Sequence, residues 1–175
     1  QMNQFFHRTY THPVDGTTLD MKMLCNWYWY DETAILETGK GTKDWNFYRY
    51  AETLLSAAEA IAQSSGVNAE AAGYLAQVKA RANMEGKDVS TIASELQRLG
   101  KQAFIEECWK ERLREFPLEM KIWDDCVRTG KFPQISATNK GEVQFVDLIG
   151  ATNGSGAKFK ETDLYWPIPV NEIQR

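Results

Sequence analysis

WNFYRYAETLLSAAEAIAQSSGVNAEAAGYLAQVKARA, residues 45–82, is the stretch that decides the fold. Within it Phe47, Tyr50, Ala51, Leu54, Leu55, Ala58, Ile61 and Ala62 recur at steps of three and four, the spacing of one helix face. Asp44 stands where an N-cap is needed, and Ser64-Ser65-Gly66 stops the helix. Asn68 then caps a second helix whose stripe is Ala71, Leu75, Val78 and Ala82. The pair reads as an antiparallel αα-hairpin. Alanines on facing stripes let two backbones approach closely, as in tetratricopeptide helix pairs, and the length suits a repeat of roughly 34 residues. One such repeat cannot bury its own apolar face, so later helices or a further part of the protein must cover it.

Downstream, Gly86-Lys87-Asp88 leads into a short helix from Ser90 to Arg98, and Gly100 breaks the chain again. Lys101 to Phe116 forms the next helix, with Ile105, Trp109, Leu113 and Phe116 along one face. Glu106/Lys110 and Glu111/Arg114 offer supporting charge pairs along it. Pro117 ends that helix or opens the next, since proline is tolerated only in a first turn. Leu118, Ile122 and Trp123 pack a further short helix running to Arg128, stopped at Gly130. Beyond Lys131 the chain reads as loop-rich, with a mobile surface loop at Gly150 to Gly156 and an extended, non-helical arm set by Pro167 and Pro169. Residues 1–43 read as irregular, with one short extended piece at Trp27-Tyr28-Trp29-Tyr30. The expected fold is therefore mainly α: a tetratricopeptide-like αα-hairpin plus further helices with long irregular loops. Its expected organisation is a loop-rich segment with an aromatic strand, 1–43, followed by a helical domain, 44–175.

Composition narrows function. With 43% hydrophobic and 25% charged residues, 175 residues suffice for one globular unit with a core. A net charge of -4 and a pI near 5.3 leave no basic stripe to neutralise phosphates, which argues against nucleic acid and other polyanions. Cys25, Cys108 and Cys126 are odd in number and widely spaced, giving neither a disulfide framework nor a metal pair; they read as reduced packing residues. His7 and His12 sit in a polar, Thr-rich stretch and support neither a metal site nor a Ser-His-Asp arrangement. No cofactor is expected. No apolar run approaches the roughly 20 residues that span a bilayer, and no signal peptide opens the chain.

Glu111, Glu115 and Glu119 recur every four residues, as paired carboxylates of a glycosidase would if they flanked an open cleft at roughly 5–9 Å. The interleaved Arg112 and Arg114 instead favour ionised, paired carboxylates. We therefore read Glu111, Arg112, Glu115, Glu119, Asp125 and Arg128 as a structural ion-pair network and assign no catalytic residue. Arg112 and Glu115 lie beside the apolar stripe, where a partly buried pair fixes how the helix docks.

Sugars are recognised by exposed aromatic rings ringed with planar polar groups. Trp27, Tyr28, Trp29 and Tyr30, flanked by Asn26 and Asp31, match that image best. In an extended chain Trp27 and Trp29 share one face and Tyr28 and Tyr30 the other. The same run also reads as an aromatic strand covering the helical hairpin, and both readings stand. Trp45 and Trp166 are weaker ligand candidates, because each borders an element that needs packing.

Several motifs recur in one order along the chain. Arg49-Tyr50-Ala51-Glu52 precedes Ala58-Glu59-Ala60, and Tyr74-Leu75 through Val78 and Ala80-Arg81-Ala82 follow. Then come Ala103-Phe104, Glu111-Arg112, Glu115-Phe116, Glu119, Trp123 with Asp125, and Arg128-Thr129-Gly130. Phe145 to Gly150 and Trp166-Pro167-Ile168-Pro169-Val170-Asn171-Glu172-Ile173 close the series. From residue 44 to 175 this resembles the C-terminal portion of the SusD/RagB family of outer-membrane nutrient-binding lipoproteins. Ile122 stands where an arginine commonly precedes the family's tryptophan, and Cys126 replaces a common leucine, which marks a diverged member.

The resemblance implies glycan (oligosaccharide) or other nutrient binding at the extracellular face of the cell outer membrane. It also implies delivery to a SusC-like TonB-dependent transporter, without enzymatic chemistry. The membrane contact it implies is a lipid anchor in an N-terminal part outside these residues, so none of the three cysteines is taken for that anchor. From another class, the alternative is a tetratricopeptide-like protein-interaction scaffold; a glycosidase is the third reading.

Overall fold

A computed structural model of the chain describes residues 6–12, 14–26, 30–31, 34, 40–136, 138–139 and 141–173, with the backbone alone at 6 and 21–26. The chain divides into two compact units, 1–47 and 48–175. In the first, β1 (Phe6–Thr11) pairs antiparallel with β2 (Thr18–Asn26), from Thr11↔Thr18 out to Phe6↔Asn26, with a register shift between His7 and Thr9. The turn closes because Asp15 Oδ1 accepts from the Thr17 backbone N–H at 2.9 Å and Gly16 takes a left-handed φ of 72°. The irregular reading of this region missed the hairpin. A period-2 signal was present in β2, where Leu19, Met21, Met23 and Cys25 alternate with Asp20 and Lys22, and that reading passed over it.

The second unit is mainly α. It runs α1 (Tyr50–Ser65), α2 (Ala69–Arg81), α3 (Val89–Leu96), α4 (Lys101–Glu115) and α5 (Ile122–Thr129), then β3 (Lys131–Ile135), β4 (Val143–Asp147), a 3-10 turn at Glu161–Leu164 and α6 (Val170–Ile173). Asp44 is not the cap of α1. Arg49 holds the N-cap position with extended backbone and no capping side-chain bond, since a guanidinium donates only, and its N–H groups go to Glu115 and Glu119 instead. Asn68 Oδ1 accepts from Ala71 N at 2.9 Å to start α2, and Asp88 Oδ1 does the same for Thr91 N at 2.7 Å at α3.

Small residues make the α1–α2 contact. Ala58, Ala62, Ala71, Ala72 and Ala76 are completely buried, together with Leu55 and Leu75. Their shared surface is sealed by Ile92 and Leu96 of α3 and by Phe104, Ile105 and Cys108 of α4, with Phe116 just beyond. The hairpin's apolar face is thus covered by the chain's own later helices.

The buried side of α4 is rotated from the expected one. It consists of Phe104, Ile105, Cys108, Glu111 and Arg112, while Trp109 is only partly buried. Apolar periodicity misplaced this face because two of its positions are charged.

Beyond α5 the chain is not simply loop. Strands β3 and β4 form an antiparallel pair from Lys131↔Asp147 to Ile135↔Val143, accommodating Pro133 because a two-stranded ribbon has free edges. Phe145 packs edge-on against Trp109 at 5.2 Å. The segment read as a mobile loop is closed by a bridge between Thr152 and Lys158, with Asn153 Oδ1 accepting from Ser155 N, Ser155 Oγ and Ala157 N. The proline arm is not wholly extended either, since α6 follows Pro169, whose carbonyl accepts from Glu172 N at 2.9 Å.

Candidate functional site

Two features of the second unit concentrate polar and aromatic chemistry: a buried clasp of ion pairs, and an open aromatic cleft. The clasp begins on one face of α1, where Arg49, Glu52, Ser56 and Glu59 follow one another at helical steps. Arg49 donates from Nε and Nη2 to Glu119 at 2.9 and 2.8 Å, and from Nη1 to Glu115 at 2.7 Å. The hydrogen bonds with Glu119 are the chief cause that raises its guanidinium further above its ordinary pKa. Glu52 faces Arg112 Nη2 at 3.5 Å and Lys121 Nζ at 3.2 Å. Arg112 in turn donates from Nε to Asp125 at 2.7 Å.

Glu59 accepts from Trp109 Nε1 at 2.9 Å and from both terminal nitrogens of Arg128 at 2.7 and 2.9 Å. Burial pushes the Glu59 carboxyl up, but the bonds from Arg128 and Trp109 outweigh it and hold the group below the usual carboxylate range. The Phe116 ring completes the clasp, with the Arg49 guanidinium 4.9 Å and the Arg112 guanidinium 5.3 Å from its centroid. Glu119 is turned inward by a backbone in which its neighbours Leu118 and Met120 adopt positive φ of 71° and 58°. That conformation is costly for residues other than glycine, and the Arg49–Glu119 bonds help to hold it.

All six residues read as a network carry ion pairs; the local pairs Glu111–Arg114 and Asp125–Arg128 form, but Arg112 and Glu115 do not pair with each other. Arg112 pairs with Glu52 and Asp125, whereas Glu115 pairs with Arg49 and Arg81. Glu111 meets Arg114 at 2.9 Å and Lys79 at 3.6 Å. Missing from the sequence reading were the opposite ends, Arg49, Glu52 and Glu59. Their spacing along α1 was the available signal.

The cleft, of about 810 Å³, is lined by Trp123 of α5 and by the run Thr162 to Pro167. Trp123 is backed by Phe159, 5.7 Å away between ring centroids, and Phe159 packs on Phe132 at 5.1 Å. Tyr165 and Trp166 are 76% and 91% exposed. Asp163 Oδ2 accepts from Lys160 N at 2.8 Å, which fixes its carboxylate at the rim. No clasp carboxylate lines this space. The volume suits a small ligand, and flat rings beside a fixed acceptor suit one with both apolar faces and hydroxyl donors.

Of the aromatic run predicted to meet ligand, Trp27, Tyr28 and Trp29 lie outside the described residues. Tyr30 is half-buried; its carbonyl accepts from Lys43 Nζ at 3.2 Å and its ring lies 6.3 Å from that of Tyr10. Trp166, ranked as a weaker candidate, lines the cleft together with Trp123, which had been read as packing alone. Among the described residues no cluster of three His, Cys, Asp or Glu side chains is placed to hold a metal ion. Nor, among them, is any helix long and apolar enough to cross a membrane.

The SusD family model matches residues 1–175. The chain belongs to the SusD family. A solved SusD superfamily protein from Parabacteroides distasonis ATCC 8503 superposes with a TM-score of 0.77 at 29% identity, covering 97% of this chain and 35% of that one. The chain thus spans about a third of the length of that relative. Comparison with curated proteins finds no match. In this SusD-family chain the recurring Arg-x-Ala-Glu, Ala-Glu-Ala, Glu-Arg and Arg-Thr-Gly motifs meet in the clasp, whereas Trp-x-Asp is shared, with Asp125 in the clasp and Trp123 in the cleft.

Proposed function

We propose that this chain is part of a protein that binds a glycan or other nutrient at the extracellular face of the outer membrane and delivers it to a SusC-like TonB-dependent transporter. The observation that carries this reading is the SusD family match along the whole chain. The protein acts by binding, not by covalent chemistry, and is held to the membrane by a lipid anchor outside these residues. Glu111 and Glu115, the carboxylates that a glycosidase reading would use, are each tied to cations within hydrogen-bonding distance. A tetratricopeptide-like docking scaffold has less support, because α3 and α4 already occupy the apolar face of the helix pair.

Calorimetric titration with a panel of neutral and acidic oligosaccharides tests binding, and chromatography of the same mixtures tests for cleavage. Saturable binding with intact oligosaccharide is the expected outcome. Release of shorter sugars that is lost in Glu111→Gln or Glu115→Gln would overturn the non-enzymatic reading. Delivery is tested by co-elution of the full-length protein with a purified SusC-like transporter, and separate elution contradicts it.

A further inference from the structure

The geometry points to the cleft between Trp123 and Thr162–Pro167 as a subsite for a neutral sugar unit, stacked on Trp166 and Tyr165 and hydrogen-bonded through Asp163. This assignment rests on the glycan-binding reading and adds where the ligand sits and which glycans it excludes.

Three observations carry it. First, Trp166 and Tyr165 are large rings left 91% and 76% exposed, consecutive in sequence, and both line the same cavity. An exposed indole contributes little to folding, yet offers the flat apolar face on which the C–H face of a pyranose packs. Second, the part of the lining formed by Trp123 is built rather than incidental. Trp123 rests on Phe159, whose backbone N–H donates to Ala151 O at 3.0 Å and whose carbonyl accepts from Gly150 N at 2.8 Å, so that wall is tied to the β3–β4 end of the unit. Third, Asp163 is the one charged residue lining the cavity. One of its oxygens caps the 3-10 turn through Lys160 N. Among the described residues the other accepts no hydrogen bond, which leaves it for a sugar hydroxyl.

A fixed carboxylate with no cation beside it in the lining repels uronates and sulfated sugars and accepts from neutral hydroxyls. The cleft should therefore take neutral oligosaccharides and reject acidic ones. Its size, about 810 Å³, suits one or two sugar rings rather than a long chain.

The test uses the 175-residue chain and its Trp166→Ala, Tyr165→Ala and Asp163→Asn variants, each checked for an unchanged melting temperature. Titrants are linear hexasaccharides of glucose, xylose and mannose, with trigalacturonate as the acidic probe. Calorimetry gives affinity, and indole N–H signals in NMR report which tryptophans respond. Expected are binding of at least one neutral hexasaccharide, a shift of the Trp166 signal, and weakening of about fivefold or more in Trp166→Ala. Asp163→Asn should narrow the preference for neutral over acidic sugars. Neutral binding unaffected by both aromatic substitutions would overturn the cleft while leaving glycan binding in place. Tighter binding of trigalacturonate than of any neutral probe would overturn it as well. Failure of the folded chain to bind any glycan that the full-length protein binds overturns the cleft and leaves the glycan-binding reading in place, whereas failure of both overturns the reading as well.

Discussion

Arg128 reaches back across 69 residues to place both terminal nitrogens on the two carboxylate oxygens of Glu59, at 2.7 and 2.9 Å. Through this two-bonded contact the end of α5 is fixed against the middle of α1. Arg128 also donates to Asp125 at 3.1 Å, and Asp125 accepts from Arg112, so the contact continues into α4.

Replacing Arg128 by Met leaves Glu59, almost fully buried, with Trp109 as its remaining hydrogen-bond donor. Arg128 itself is half exposed, so solvent screens part of the interaction. The expected loss is about 1–2 kcal/mol in urea unfolding. A double-mutant cycle with Glu59→Gln should show coupling of about 1 kcal/mol. Additive single effects would mean that the contact contributes nothing beyond its parts.

Acid should loosen the same region. Burial raises the carboxyls of Glu59 and Glu107, yet hydrogen bonds, from Arg128 and Trp109 to the first and from Lys79 to the second, leave both below their ordinary value of 4.5. A group whose pKa is depressed by folding contributes stability above its unfolded pKa and loses that contribution as pH falls through the folded value. Melting temperature should therefore decline as pH drops below about 4.5. Glu59→Gln should flatten that decline, and an unaltered slope would remove Glu59 from the explanation.

Burial, with neighbouring acidic groups adding to it, pushes the Cys108 thiol up to about 12 and the Cys126 thiol up to about 11. At pH 8 each is on the order of 0.1% thiolate or less, and both lie in the interior. In a Cys25→Ser background the native protein should react with a thiol reagent only at its unfolding rate, and then at two sites. Rapid labelling of the native state would contradict this burial.

Met120 is 78% exposed and holds a φ of 58°. Relief of the left-handed conformation, about 1–2 kcal/mol, competes with the extra unfolded-state freedom of glycine, about 0.5–1 kcal/mol. Met120→Gly should accordingly leave stability unchanged or raise it by about 0.5 kcal/mol, whereas Met84→Gly, also exposed, carries no such relief. A clear loss at Met120 in thermal melts would show that its side chain matters more than its backbone.

The helical hairpin was legible because its signals are local: alanine and leucine at helical steps, a glycine stop, and Asn68 as a cap. Its start was not. Arg49 looks like part of the helix in sequence, but its guanidinium is bound to glutamates 66 and 70 residues away, and its backbone stays extended. The core face of α4 was misplaced for a related reason, since Glu111 and Arg112 are buried there as ion-paired residues and periodicity counts only apolar ones. The β3–β4 ribbon was hidden by Pro133 and by a connection from 136 to 142 that shows no two-residue hairpin turn. The cleft joins Trp123 to residues about forty positions later, a proximity that no local pattern encodes. Glu111, Arg112, Glu115, Glu119, Asp125 and Arg128 were read from the sequence as a structural ion-pair network, but their distant clasp partners on α1, Arg49, Glu52 and Glu59, were not joined to it.

The most direct test of that clasp is the urea unfolding free energy of Arg112→Ala, measured beside Trp166→Ala in the same buffer. Arg112 is 7% exposed and shared by Glu52, Asp125 and the Phe116 ring, so its removal leaves Glu52 to Lys121 alone and Asp125 to Arg128 alone and opens a gap beside Phe116. The account predicts a loss of about 2–3 kcal/mol for Arg112→Ala and almost none for Trp166→Ala. Retained stability in Arg112→Ala would contradict the claim that these recurrent charged residues hold the fold.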